Sequence, residues 1–133
     1  MIDPKNVPSV AADEKLARYI LFSGHFRRSD ESVKPDALIP HPRSALSVTR
    51  HLHTSEFELW SIGEDVAAAR GRLYGRADFG VEACTKQRLR VEPDPIIPKN
   101  PNHANVTGWP PDKPAQKIIA QEIAATASYV ARH

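Results

Sequence analysis

Proline constrains this chain more than any other residue, because it fixes one backbone torsion and removes a hydrogen-bond donor. The 133 residues include 12 prolines, well above the average usage of about 5%. Most of them fall in three clusters, at 35–42, 93–101 and 110–114. None of these stretches can form the interior of a helix, so we expect stiff, extended connections between the regular elements.

The segments between the proline clusters contain strand patterns. Residues 45–52, ALSVTRHL, alternate apolar and polar side chains and predict a strand that carries Arg50 on its apolar side. Shorter runs that also predict strands lie at 72–79, 88–93 and 103–109. In the strand predicted at 88–93, Arg88 and Arg90 share one face.

Two segments predict amphipathic helices. Ser55 and Glu58 form a Ser-x-x-Glu capping box, followed by apolar residues at helical spacing up to a natural stop at Gly71. The second helix is predicted over 112–132, with Asp112 as its N-cap. Residues 14–26 predict a short helix that runs into a strand.

These elements predict an α+β domain, in which two amphipathic helices cover a small, mainly antiparallel sheet. We expect three to five strands with both helices on one face, and the longer helix at the C-terminus. The length predicts a single domain. Residues 1–11 are expected to be a flexible lead, and 12–133 to form the domain.

Composition narrows the class of protein. The net charge of +2 and the pI near 8.8 permit a phosphate-bearing partner without requiring one. The single cysteine, Cys84, excludes an internal disulfide and favours a reducing compartment. We see neither an apolar signal segment nor an apolar run long enough for a membrane span, so the expected location is cytoplasmic. No glycine-rich phosphate loop is present, and no cofactor is predicted.

Five segments together resemble a known family. They are SVKPDALIP, LSVTR, ELWSIGEDVAAARG, GRADF and HANVTGWPPDKPAQKIIAQEIA, and the resemblance spans about residues 17–127. The family comprises small, hypothetical bacterial proteins. The resemblance implies a bacterial, cytoplasmic protein and brings no activity, substrate or catalytic residue with it.

Four residues are candidates for binding an anion: Lys34, Ser47, Arg50 and Lys113. Lys113 stands in the first turn of the last helix, where free backbone N–H groups favour a phosphate or carboxylate. An arginine on the apolar face of a strand is costly unless it is paired or binds an anion. Asp36 or Asp78 would be the structural partner of Arg50, and a phosphate the functional one.

His103 is the candidate catalytic residue. A histidine that moves a proton, together with Arg50 or Lys34 to stabilise developing charge, is the minimum set for cleaving a phosphodiester. This combination predicts a small hydrolase or nuclease as an alternative to a binding module. Each of these residue types is also common in proteins that are not enzymes.

A metal site is not predicted. His51 and His53 are two residues apart, so a strand would project both from one face, and His41 and His103 would have to join them to complete a set of ligands. The chain lacks the H-E-x-x-H and C-x-x-C patterns. Cys84 is expected to be a small buried apolar side chain.

Partner recognition has two further candidates. The middle of the chain is rich in arginine, which suits phosphate and RNA recognition, although acidic residues are interleaved. Trp60 and Trp109 are candidate anchors of an interface with a protein partner or a second copy of the chain.

Of these interpretations, we rank a binding or accessory module for a phosphate-bearing ligand or a protein partner first. A hydrolase or nuclease and a nucleic-acid-binding protein are the alternatives.

Overall fold

The computed structural model describes residues 1–40 and 44–133. Its strands are β1 Lys15–Ile20, β2 Phe26–Arg27, β3 Ser32–Val33, β4 Leu46–Arg50, β5 Gly75–Gly80, β6 Arg90–Pro93, β7 His103–Thr107 and β8 Ser128–Ala131. Its helices are α1 Glu56–Ala68, α2 Val81–Thr85 and α3 Lys113–Thr126, with short 3₁₀ turns at Ser23–His25 and Pro35–Leu38.

Six strands form the main sheet, in the order β6-β7-β4-β1-β5-β8, and every pairing is antiparallel. Strands β2 and β3 form a separate two-stranded sheet. The predicted α+β class with an antiparallel sheet and two amphipathic helices is confirmed, and the C-terminal α3 is the longest helix. The main sheet exceeds the predicted three to five strands.

The two long helices pack on opposite faces of the sheet. On one face, Leu16 and Ile20 join a core that includes Ile123 of α3. On the other face, Tyr19 packs with Ile62 of α1. Successive side chains of a strand point to opposite faces, so Tyr19 and Ile20 assign each helix to its own side of β1. The expectation that both helices cover one face is wrong, because β1 is buried on both faces.

Two predicted boundaries are wrong. The chain at 15–20 is entirely a strand, and only a 3₁₀ turn follows it, so the predicted helix within 14–26 is absent there. The last helix ends at Thr126, and Ser128–Ala131 pairs with β5 as an edge strand. The aromatic and β-branched residues of SYVA suit a strand, and pairing with β5 satisfies their backbone groups.

The predicted helix caps are confirmed. The Ser55 side chain accepts a hydrogen bond from the Glu58 backbone N–H, and the Glu58 side chain accepts one from the Ser55 N–H. Asp112 caps α3 by accepting from the Ala115 N–H.

Gly63 lies within α1, where a Cβ atom would come within 2.7 Å of the Tyr19 ring. Within the ranges described, no helix has the length and apolar character that crossing a membrane requires.

The segment before β1, predicted to be a flexible lead, makes specific contacts with the domain. Ile2 is buried, and its N–H donates to Oδ1 of Asn102 at 2.9 Å. Arg50 donates to the backbone oxygens of Pro8 and Ser9. These contacts hold the segment against the end of β4.

Candidate functional site

A cavity of about 340 Å³ lies beside α1, at the place where β1 and β4 stop pairing. Its walls come from β1 and β4, the 3₁₀ turn after β1, α1, and the loop at 96–100 that leads into β7. Five of its lining residues carry basic side chains: Arg18, His25, Arg70, Lys99 and His103. We call this site the basic cavity. Its volume is at the lower end of the usual range for small-molecule sites, about 300–1,000 Å³.

Arg18 is the least expected residue of the basic cavity. The paired register of β1 and β4 runs only through Leu16 and Ala17 of β1. Just beyond it, Arg18 Nη1 donates to the Ser47 backbone oxygen at 3.1 Å, and Nε donates to that of Ala37 at 3.1 Å. The arginine therefore bridges the two strands where their own pairing stops.

The described acidic side chains neutralise only part of the positive charge of the basic cavity. Among residues 1–40 and 44–133, no carboxylate lies within 4.0 Å of the charged groups of Arg18, Arg70 or Lys99. Asp65 is the single acidic residue among the described residues that line the cavity. Three permanent positive charges thus face one negative charge.

Burial and charge perturb two of these groups. Burial lowers the pKa of Arg18 to about 10, and the neighbouring positive charge of Arg70 contributes to this decrease. Burial also lowers the pKa of His25 below its usual 6.5, and the charge of Arg18 adds to the effect. Burial is the larger cause of both shifts, and the neighbouring positive charges add to it, so a bound anion would oppose both shifts.

His103 is oriented by Asp94. Its Nδ1 atom lies 2.8 Å from the Asp94 backbone oxygen and 3.2 Å from Oδ2 of the same residue. Because a carbonyl oxygen only accepts, Nδ1 must carry the proton in this contact. In neutral His103 the Nε2 atom is then an unprotonated acceptor, and the residue lines the basic cavity.

Of the four predicted anion-binding residues, the structure brings only Ser47 to the basic cavity. Arg50 is fully buried and does not line this cavity; its Nε and Nη2 pair with the carboxylate of Glu14 at 2.7 and 2.8 Å. Its partner is therefore Glu14, not Asp36 or Asp78. Arg50 also does not accompany His103, so the predicted pairing of these two residues is not present.

Lys34 and Lys113 lie outside the lining of the basic cavity. Lys34 precedes the 3₁₀ turn at Pro35–Leu38. Lys113 is exposed in the first turn of α3, on the other side of the sheet from α1. The structure does not unite these lysines with His103 in one site.

The two tryptophans have different environments. Trp109 is buried in the core, 8% exposed, and its Nε1–H donates to the Val106 backbone oxygen. It is therefore a core side chain, not a surface anchor. Trp60 is half-buried, and the guanidinium groups of Arg76 and Arg132 lie 4.7 and 5.2 Å from its ring centroid. A partner surface at Trp60 stays a prediction.

The histidines considered for metal binding do not share a strand face. Strand β4 ends at Arg50, His51 Nε2 pairs with Asp78 at 2.9 Å, and His53 has a positive φ of 56°. His41 lies outside the described residues. In the part of the chain that the structure describes, no three His, Cys, Asp or Glu side chains are grouped as a metal ion would need.

The arginine-rich middle of the chain does not form one basic face. Arg50 and Arg76 are buried in ion pairs, and Arg72 lies over the ring of Tyr74. Arg88 precedes β6 with a positive φ of 63°, so it does not share a strand face with Arg90 as predicted. Arg43 lies outside the described residues.

Sequence reasoning missed Arg18, His25 and Lys99 as site residues, and it considered Arg70 only as one of the arginines of a nucleic-acid-binding surface. For Arg18 a signal was present: it alternates with Leu16 and Ile20, the same pattern that drew attention to Arg50. The others come from a turn, a helix end and a loop, and only the tertiary fold brings them to one cavity.

Comparison with protein-family models, with curated proteins and with solved structures finds no match for this chain.

Proposed function

We propose that this protein is a small cytoplasmic module that binds a phosphate-bearing small molecule in the basic cavity. The observation that carries the proposal is the environment of Arg18. This partly buried guanidinium uses two of its donors on backbone oxygens and has no carboxylate partner in the described chain. A partly buried charge without a counter-ion costs free energy, and an anionic ligand lowers that cost.

The charge of the cavity favours phosphate over a simple carboxylate. A phosphate monoester carries a charge of about −1.5 to −2 at pH 7. The three permanent cations and one carboxylate of the basic cavity leave a formal excess of two positive charges. The planar donor fork of arginine also suits the geometry of phosphate oxygens.

The proposal is tested by isothermal titration of the purified protein with inorganic phosphate and pyrophosphate at low salt. We expect binding that weakens with ionic strength and weakens about tenfold or more in Arg18→Gln, since a hydrogen bond to a charged group is lost. Arg70→Ala and Lys99→Ala alter exposed side chains and should each weaken binding by up to about fivefold. Lys117→Ala, an exposed cation on α3, is the control and should bind normally.

Arg18→Gln must be shown to fold, because Arg18 bridges β1 and β4. Circular dichroism and thermal unfolding provide this check, and the two exposed variants keep the test decisive if Arg18→Gln does not fold. The proposal fails if neither anion binds at millimolar concentration, or if Lys117→Ala weakens binding as much as Arg70→Ala and Lys99→Ala do.

A phosphoester hydrolase is a second candidate function, favoured by the orientation of His103. With Nδ1 held by Asp94, Nε2 is available to take a proton from a water molecule. As the water oxygen bonds to phosphorus, the ester P–O bond breaks, and the leaving alkoxide takes up a proton from solvent. Arg18 would stabilise the charge on the phosphoryl oxygens.

The hydrolase candidate predicts a separation of binding from turnover. His103→Gln should retain phosphate affinity within about threefold and reduce turnover of a phosphoester such as p-nitrophenyl phosphate by at least about a hundredfold. A wild-type protein that binds phosphate and hydrolyses neither mono- nor diesters would leave binding as the function.

A further inference from the structure

Exposed apolar side chains are concentrated at the mouth of the basic cavity. Seven large apolar residues of the described chain are exposed, and three of them line this cavity: Phe22, Val66 and Ile96. They come from three separate elements, namely the turn after β1, α1 and the loop before β7. Exposed apolar groups that converge on a polar cavity are typical of a site whose ligand has an apolar part.

Phe22 is placed to contact such a ligand. It is 52% exposed, and its ring meets that of His25 with 5.1 Å between centroids and the planes 65° apart. This edge contact does not stack the two rings. The aromatic surface that remains exposed borders the same cavity as Arg18.

Asp65 supplies a third element of recognition. The negative charge of Asp65 repels an anion bound in the same cavity. Within the described ranges, Asp65 forms no ion pair. A ligand that also carries hydroxyl or amino donors would satisfy this carboxylate, as acidic residues do with ribose hydroxyls in nucleotide sites. The side chains of Ser47 and Asn100 add neutral hydrogen-bonding groups.

We infer that the ligand is a mononucleotide. The inference rests on the proposed function, and it assigns the phosphate to Arg18, Arg70 and Lys99. The sugar hydroxyls or the base amino group face Asp65, and the base contacts Phe22 together with the other exposed apolar residues of the mouth. The three parts of a nucleotide, an anion, a donor-rich sugar and a flat apolar base, match the three kinds of lining residue. The volume of about 340 Å³ restricts the ligand to a small molecule.

The test compares AMP, GMP, CMP and UMP with ribose 5-phosphate and inorganic phosphate, by isothermal titration at one ionic strength. We expect at least one nucleotide to bind about 5- to 150-fold more tightly than ribose 5-phosphate, the range that one stacked base gives. In Phe22→Ala this advantage should largely disappear while the affinity for ribose 5-phosphate stays unchanged. Phe57→Ala, which removes an exposed phenylalanine outside the cavity, should change neither affinity.

The outcomes separate the two proposals. If ribose 5-phosphate binds as tightly as every nucleotide, the nucleotide inference is overturned and the phosphate site stands. The inference also fails if Phe22→Ala and Phe57→Ala have the same effect on nucleotide affinity. If none of the six compounds binds, both proposals fail.

Discussion

Arg50 and Glu14 form a two-pronged ion pair in the core of this protein. Arg50 Nε and Nη2 lie 2.7 and 2.8 Å from the two carboxylate oxygens of Glu14, and both residues are buried. The remaining donors of the guanidinium reach the backbone oxygens of Pro8 and Ser9. The pair therefore joins β4 to the segment that precedes β1, and Arg50 has a structural role.

Removing one partner of this pair should destabilise the protein strongly. Glu14→Gln leaves the Arg50 charge buried without a counter-ion, and we expect a loss of about 3–5 kcal/mol in the free energy of unfolding. Urea unfolding at neutral pH measures this loss. The control is Glu92→Gln, which breaks the exposed pair with Arg90 and should cost at most about 1 kcal/mol. Equal losses of stability in Glu14→Gln and Glu92→Gln would contradict the prediction that the buried ion pair matters more for stability than the exposed one.

Acid should destabilise the protein through the same carboxylate. Burial tends to raise the pKa of Glu14, but the hydrogen bonds from Arg50 and the Ala11 N–H prevail, so the pKa lies below its usual 4.5. Burial likewise tends to raise the pKa of Asp78, but hydrogen bonds from His51 and Arg76 outweigh it and lower the pKa. A carboxylate whose pKa is lower in the folded than in the unfolded protein stabilises the folded state at pH values above its unfolded-state pKa. This stabilisation is lost as the pH falls through the folded-state pKa.

Urea unfolding as a function of pH checks this expectation. Above about pH 5, titration of Glu14 and Asp78 should not change the free energy of unfolding. Below about pH 5, the free energy of unfolding should fall progressively. In Glu14→Gln, which does not titrate at this position, the decrease should be smaller. A decrease in Glu14→Gln as steep as in the wild-type protein would contradict the assignment.

Gly75 should not tolerate a side chain. A Cβ atom here would overlap the Val130 backbone oxygen and lie 2.8 Å from the Tyr129 ring, both on the neighbouring strand β8. Gly75→Ala should therefore lower stability by about 1–3 kcal/mol, seen as a lower Tm. Gly24→Ala is the matched control, because no described residue other than its chain neighbours has an atom within 4 Å of the position that its methyl group would take. A Tm in Gly75→Ala that equals that of Gly24→Ala would rule out this close packing.

Cys84 should be inert in the folded protein. The side chain is fully buried, and burial raises the pKa of the thiol to about 12, so almost no thiolate is present at neutral pH. A thiol reagent such as dithionitrobenzoate should react only as fast as the protein unfolds. Rapid labelling without denaturant, at the rate seen in urea, would contradict the buried position.

The elements and their ends were largely predictable because their signals are local. The capping box at Ser55 and the cap at Asp112 depend on residues three positions away, and strand alternation needs only a few neighbours. The prediction of the C-terminal helix is wrong for residues 128–131, where the local sequence pattern was not sufficient to predict the structure. Residues 128–131 form β8 because β5, about fifty positions earlier, offers an edge to pair with.

The sequence alone determined the fold class, the helix starts and the unusual position of an arginine among apolar strand residues. Only the tertiary structure decided which arginine is neutralised. Arg50 pairs with Glu14, 36 positions away, whereas Arg18, in the same alternating pattern, donates to backbone oxygens and lines a cavity with two further cations. The energy of a buried charge depends on what surrounds it in space, and residues distant in sequence supply those surroundings.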